Sequence, residues 1–211
     1  MAFANLTLPE LLGIAVALVV GITFHEFSHA FVADQLGDHR PRALGRVSLN
    51  PVRHIDPVGA IFFVLAGFGW GRPVPVNGSA LRPGRIGMAY VAAAGPLANL
   101  VVATAFAVLF RATDLAGLLT PGDFVWLLLF FIVFYNVALG LFNLLPIPPL
   151  DGYNLVLPFL PPRTAYTVQR YATYGVLALL LLVVLSYGSG PSPLDWLFGA
   201  AGWITDLLTG A

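Results

Sequence analysis

The 211-residue chain is 58% hydrophobic and 9% charged, carries no formal net charge and has a mean hydropathy of +0.86. Soluble domains carry roughly 25% charged residues, so a chain this apolar is an integral membrane protein. Zero net charge argues against nucleic acid as a partner, and the absence of cysteine removes disulfides and cysteinyl zinc sites.

Pro9 to about Leu36 reads as the first membrane helix, with Pro9 in its first turn and Thr7 or Asn5 as capping candidates. It lacks a basic flank and a small-residue cleavage site, so a retained helix is expected, not a signal peptide. Asp38 to Arg85 does not read as ordinary helix. It holds seven of the ten arginines, a loop composition that stays on the cytoplasmic side. Ala43–Asn50 and Gly71–Gly78 partly alternate, and the 13 apolar residues from Val58 to Trp70 are too few for a span. The expectation is a cytoplasmic, partly embedded β-hairpin insertion over about 40–80. Ile86–Phe110 and Phe124–Leu145 are the second and third spans. Tyr171–Tyr187 is a fourth, and Leu194–Leu208 is either a tilted span or a surface helix. The fold class is therefore an all-α polytopic membrane protein of about four to six helices. It forms one domain over 1–211, with its core at 8–152 and C-terminal helices at 153–211.

The chemistry sits in the first span. His25-Glu26-Phe27-Ser28-His29 is an H-E-x-x-H pattern within an apolar helix. Four residues turn a helix by about 400° and rise about 6 Å, so both imidazoles lie on one face. That spacing suits one tetrahedral zinc ion, with Glu26 beside the first ligand as general base. Ionisable side chains in an apolar helix are costly without function. A catalytic zinc needs a third protein ligand and an open position. Position 35 is Gln35 rather than histidine, and Glu10 is the only other glutamate. This leaves His39, His54 and the aspartates. Asp151 is favoured because it follows a proline-broken helix on the correct side. His54 competes, although a local pairing with Asp56 accounts for it as well.

These residues resemble the site-2 protease family of intramembrane zinc metalloproteases. The likeness rests on His25-Glu-Phe-Ser-His29, Ala94-Gly-Pro-Leu-Ala-Asn99 and Asn143-Leu-Leu-Pro-Ile-Pro-Pro-Leu-Asp-Gly152. It extends to Gly45-Arg-Val-Ser-Leu-Asn-Pro51 and Phe68-Gly-Trp-Gly-Arg-Pro-Val-Pro-Val-Asn77, which are similar to a compact bacterial subgroup without PDZ or CBS domains. The resemblance implies one Zn2+ held by His25, His29 and Asp151, with Glu26 as catalytic base. It implies Asn143 as a substrate-handling residue and Asn99 as core support, and with His54 these make the expected substrate-binding set. The implied reaction is peptide hydrolysis in or next to a substrate's transmembrane segment. The implied location is a multi-pass cell membrane, with the site near the cytoplasmic face. The partners are a transmembrane substrate and the bilayer, and a homodimer stays open. A non-catalytic zinc-binding scaffold and a metal transporter are the alternatives. The second would show paired broken helices in two similar halves, which the chain lacks.

Overall fold

A computed structural model describes residues 6–66, 69–186 and 192–210. The chain opens with α1, Leu8–Gln35. Thr7 and Glu10 close a capping box at its start: the Thr7 N–H donates to the Glu10 carboxylate at 2.7 Å, and the Glu10 N–H donates to the Thr7 hydroxyl at 3.5 Å. Two donors that the first turn would otherwise leave unpaired are thereby satisfied. There follow α2 (Arg40–Ala43), α3 (Pro57–Ala66), α4 (Arg85–Leu115), α5 (Phe124–Asn143), α6 (Asp151–Val156), α7 (Pro162–Arg170), α8 (Ala172–Leu185) and α9 (Asp195–Thr209). Helices α1, α4 and α5 are long and apolar enough to cross a membrane. A fourth span arises if α7 and α8, bent by 56° at their junction, count as one broken crossing. The protein is a helical membrane protein, with three or four candidate spans among the described residues against the four to six expected. Tyr187, the expected end of the fourth span, lies outside the described residues.

The three long helices pack on one another through small and branched side chains. Ala17, Val102 and Ile132 form one contact, and Ala103, Ala107, Val133, Val137 and Ala138 form another with Ala201 of α9. Lipid tails are as apolar as leucine, so helices associate there by close van der Waals packing, which alanine and glycine permit. Helix α9 has 15 residues. At 1.5 Å per residue it measures about 22 Å, short of a hydrocarbon core of about 30 Å. Its C-terminal end is tied to α4, where the Arg111 guanidinium donates to the Leu207 and Leu208 carbonyls at 2.6 Å each. A cation on the open carbonyls of a helix end satisfies both their hydrogen bonds and the helix dipole.

The insertion between α1 and α4 departs from expectation. Among the described residues there is no β-strand, and the hairpin expected at about 40–80 is not formed. One isolated antiparallel bridge, Ile55 with Gly71, is all the pairing present there. The reason lies in the backbone. Pro73 and Pro75 have no N–H to donate, and the Arg72 and Pro73 carbonyls accept from the Arg46 guanidinium instead of from a strand. On the other run, Gly45 takes φ +69° and Asn50 caps a short turn of helix through the Val52 N–H at 3.1 Å. The apolar stretch from Val58 becomes α3, with the Asp56 carboxylate accepting from the Gly59 N–H at 2.8 Å.

Two aspartates at the end of α1 hold this insertion. Asp34 accepts from Arg42 at 2.7 and 3.0 Å and contacts the His39 imidazole at 2.9 Å. Asp38 takes a two-pronged bond from Arg40, both arms at 2.9 Å, and the Asn77 N–H at 2.6 Å. Arg40 holds the Asp38 carboxyl down at about 2, helped by the Asn77 N–H against the pull of burial. A depressed carboxylate pKa contributes stability above its unfolded value of roughly 3.9, and that contribution is lost as pH falls towards the folded value. Asp38→Ala is expected to lower unfolding free energy by about 1–3 kcal/mol, because the Asn77 N–H loses its acceptor. Thermal unfolding of wild type and variant in detergent at pH 7 measures the difference, which should shrink as the pH is taken from 4 towards 2.

Candidate metal centre

The H-E-x-x-H segment lies in the C-terminal half of α1, where α4 crosses it at Gly95. A β-carbon at position 95 would stand 2.4 Å from His29 Nε2 and 2.7 Å from His25 Nε2. Only glycine allows that approach. The crossing brings α4 groups onto the far nitrogen of each ring: His25 Nδ1 is 2.7 Å from Asn99 Oδ1, and His29 Nδ1 is 2.7 Å from the Val91 carbonyl. Pro96 breaks the α4 ladder one residue beyond the bond in which Val91 would act as helical acceptor. The orientation of the Asn99 amide follows from its other partners. Its Nδ2 donates to the Gly21 carbonyl at 3.1 Å and to Asn136 Oδ1 at 3.0 Å, so Oδ1 must face His25.

Both Nδ1 partners are acceptors, so both Nδ1 atoms carry the proton. In the neutral ring, the form that binds a metal, each Nε2 then presents a lone pair. These two Nε2 atoms are 3.0 Å apart, and the Asp151 carboxylate lies 3.0 Å from His25 Nε2 and 3.1 Å from His29 Nε2. Three electron-pair donors that converge in a buried pocket repel one another unless a cation lies between them. Ligand bonds of about 2.0–2.1 Å arranged tetrahedrally put donor atoms about 3.4 Å apart, within a few tenths of the spacing here. The donor set therefore fits a metal ion. Among the described residues, His25, His29 and Asp151 are the one group of three such side chains able to hold one.

Asp151 reaches this point through backbone chemistry. Pro146, Pro148 and Pro149 stop α5, and the chain folds back so tightly that a β-carbon at Gly152 would lie 2.2 Å from the Leu144 carbonyl oxygen. Asp151 is the first residue of α6 and lands opposite the imidazole pair.

The other expected residues fall elsewhere. His54 is fully buried, and its Nε2 donates to the Ser48 carbonyl at 2.6 Å. It joins neither the imidazole pair nor Asp56, whose carboxylate is turned to Gly59, so the expected His54–Asp56 pairing is corrected. Burial pushes the His54 imidazole below its usual pKa, against the Ser48 bond, which raises it; the Arg46 charge adds to the lowering. His39 contacts Asp34 and is likewise no ligand. Asn143 donates to the Leu139 carbonyl of its own helix at 3.0 Å. Asn99 does stand beside the centre, holding His25. Three contributors were not foreseen. Asn136 braces Asn99 from α5, and its own Nδ2 donates to Ile132 at 2.8 Å. The Val91 carbonyl is a main-chain group with no side-chain signal. Arg46, 3.7 Å from Glu26 across an ion pair, was visible only as a letter in a loop motif.

Comparison with known proteins agrees with this geometry. A profile of peptidase family M50 matches residues 118–185, the stretch that includes α5 and Asp151. YwhC of Bacillus subtilis is 38% identical over 185 residues, covering 83% of this chain and 82% of its own length. The chain belongs to the site-2 protease family, peptidase family M50. Rip2 of Mycobacterium tuberculosis is another relative, 33% identical over 196 residues, which are 90% of this chain and 71% of Rip2. Both relatives bear zinc-metalloprotease names. No solved structure gives a significant match. Membership in family M50 makes the chain a membrane metalloprotease by descent.

Two substitutions probe the centre. Gly95→Ala sets a methyl group against both imidazole nitrogens and is expected to take bound metal from one ion per chain to near zero. Asn99→Ala removes the partner that orients His25 and is expected to weaken metal affinity by about 10–100-fold. Metal content after dialysis and competition with a chromogenic chelator measure the two effects.

Proposed function

We propose that this site-2 protease homologue is an intramembrane zinc metalloprotease that hydrolyses peptide bonds within or next to transmembrane segments of other membrane proteins. The observation that supports this most is the convergence of two Nε2 lone pairs and the Asp151 carboxylate, with Glu26 one residue from the first imidazole. His25, His29 and Asp151 would hold one Zn2+. When bound, zinc polarises the scissile carbonyl and makes a water acidic enough to attack near neutral pH. The protein's part is proton traffic and orientation. Glu26 Oε2 is buried and has no hydrogen-bond partner within the protein. It takes the proton from the attacking water and passes it to the leaving amine nitrogen, the acid–base cycle that a carboxylate beside a metal site performs. Asn99 and Val91 keep both imidazoles in the ligating tautomer. Asn143 lies eight residues before Asp151, and its amide carbonyl is the group on offer to an unwound substrate backbone.

Depth and side support the same reading. His25 lies about 26 Å along α1 from Leu8 and about 15 Å from Gln35 at 1.5 Å per residue, which is within lipid but nearer the insertion end. Nine of the ten arginines, all but Arg111, belong to segments at that end. By the positive-inside tendency it is cytoplasmic, so water enters from there in a multi-pass arrangement within the cell membrane.

Glu26→Gln separates this reading from a zinc-binding scaffold. The variant should keep one zinc per chain and lose cleavage of a co-reconstituted single-span substrate by 10²–10⁴-fold, the range for loss of a general base. Asp151→Ala should lose zinc and cleavage together. Cleavage by the glutamine variant at the wild-type rate rejects the assignment.

A further inference from the structure

We propose that Arg46 is a positioning residue for the catalytic base, an inference that rests on the metalloprotease reading. It would hold the Glu26 carboxylate against the 71–73 segment without occupying the lone pairs that must receive the proton. A guanidinium is among the most expensive groups to bury in a membrane protein, and Arg46 is only 5% exposed. Its place is built from the backbone. Gly45, in the left-handed region at φ +69°, turns the chain, and the Arg46 N–H donates to the Pro41 carbonyl at 2.8 Å. The side chain then reaches away from its own loop. Nη1 donates to the Pro73 carbonyl at 3.3 Å and Nη2 donates to the Arg72 carbonyl.

The same Nη2 stands 3.7 Å from Glu26 Oε2. That separation is an ion pair and too long for a hydrogen bond. On the other side of the carboxylate the backbone presses in at Gly71, where a β-carbon would stand 3.2 Å from Glu26 Oε1 and 2.9 Å from Ile22 Cγ2. Gly71 is fixed in turn by its bridge to Ile55, and the Arg72 N–H donates to the His54 carbonyl at 2.6 Å. Glu26 is thus flanked by Gly71 and by the arginine that clamps the two residues after Gly71. Arg46 Nε has no partner in the protein. The fork carries the assignment: a lysine ammonium cannot reach two carbonyls and a carboxylate from one planar group.

The test uses the full chain in phosphatidylcholine–phosphatidylglycerol vesicles, as wild type, R46K, R46A and E26Q. One readout is the visible spectrum of the Co2+-substituted protein, which reports groups that touch the metal's open position. The other is cleavage of a fluorogenic single-span peptide, resolved into kcat and KM. R46A and R46K should keep one metal per chain and shift the cobalt bands in the direction E26Q does. They should lose about 10²-fold in kcat with KM changed less than 3-fold, the scale of a misplaced reacting group. Added ethylguanidinium should restore R46A at least 10-fold and leave E26Q inactive. Unchanged cobalt bands in both arginine variants overturn the proposal. So does a kcat loss that follows loss of metal or of melting temperature and resists rescue. Should R46A fail to fold, R46K carries the test, and wild-type kcat with wild-type bands in R46K rejects the role. If wild type cleaves nothing while the bands still move with Arg46 and Glu26, the protease reading fails and the positioning of Glu26 by Arg46 stands.

Discussion

Two hydrogen bonds made by α4 to the far sides of His25 and His29 govern the centre. Asn99 and Val91 offer oxygen atoms, so each ring protonates Nδ1 and bares Nε2, the nitrogen beside Asp151. Had either partner been a donor, one ring would carry its proton inward, where it would meet a neighbouring imidazole and oppose a cation. Helix α4 reaches bonding range because residue 95 has no side chain. Helix packing and metal chemistry are therefore one constraint: the glycine approach of α4 to α1 also sets the two tautomers.

The brace behind that contact crosses the bundle. His25, Asn99 and Asn136 form a buried relay from α1 through α4 to α5, with the Gly21 and Ile132 carbonyls closing its ends. Both amide hydrogens of Asn99 and one of Asn136 have protein acceptors. Hydrogen bonds in low-dielectric surroundings are electrostatically stronger, and an unpaired member is correspondingly costly. The relay rigidifies the three helices as a unit, with the centre placed where they meet. Asp151 comes from outside this unit, on a short helix whose position depends on a chain of prolines and on Gly152.

Much of this could be read from one dimension. The three long spans emerge from hydropathy, and their ends fall within a few residues of the observed ones, because a lipid-crossing helix must be apolar over a set length. Pro9 marked the start of the first helix with Thr7 or Asn5 as candidate caps, and Thr7 is the cap; its capping box with Glu10 was not foreseen. That His25 and His29 share a face followed from their i, i+4 spacing, and Asp151 was favoured because it follows a proline-broken helix on the same side; the structure brings these three together. The insertion misled for a physical reason. Alternation between Ala43 and Asn50 suggested strands, but a ladder needs donors and acceptors on both edges. Prolines 73 and 75 remove two donors, and a distant arginine takes two acceptors. Long-range bonds of that kind leave no periodic trace. Asn136 and the Val91 carbonyl escaped for the same reason: one is a polar residue among many helix contacts, the other has no side-chain identity at all.

The sequence distance between the converging groups has a biosynthetic meaning. His25 and His29 leave the ribosome 122 or more residues ahead of Asp151. A nascent chain that has already threaded its opening helix into the bilayer still lacks the carboxylate, the fold-back at Gly152 and the α5 brace. The pocket is completed only when the late proline-broken turn swings beneath the early helix. Until then the growing polypeptide holds two of the three converging donors and no complete pocket for an ion.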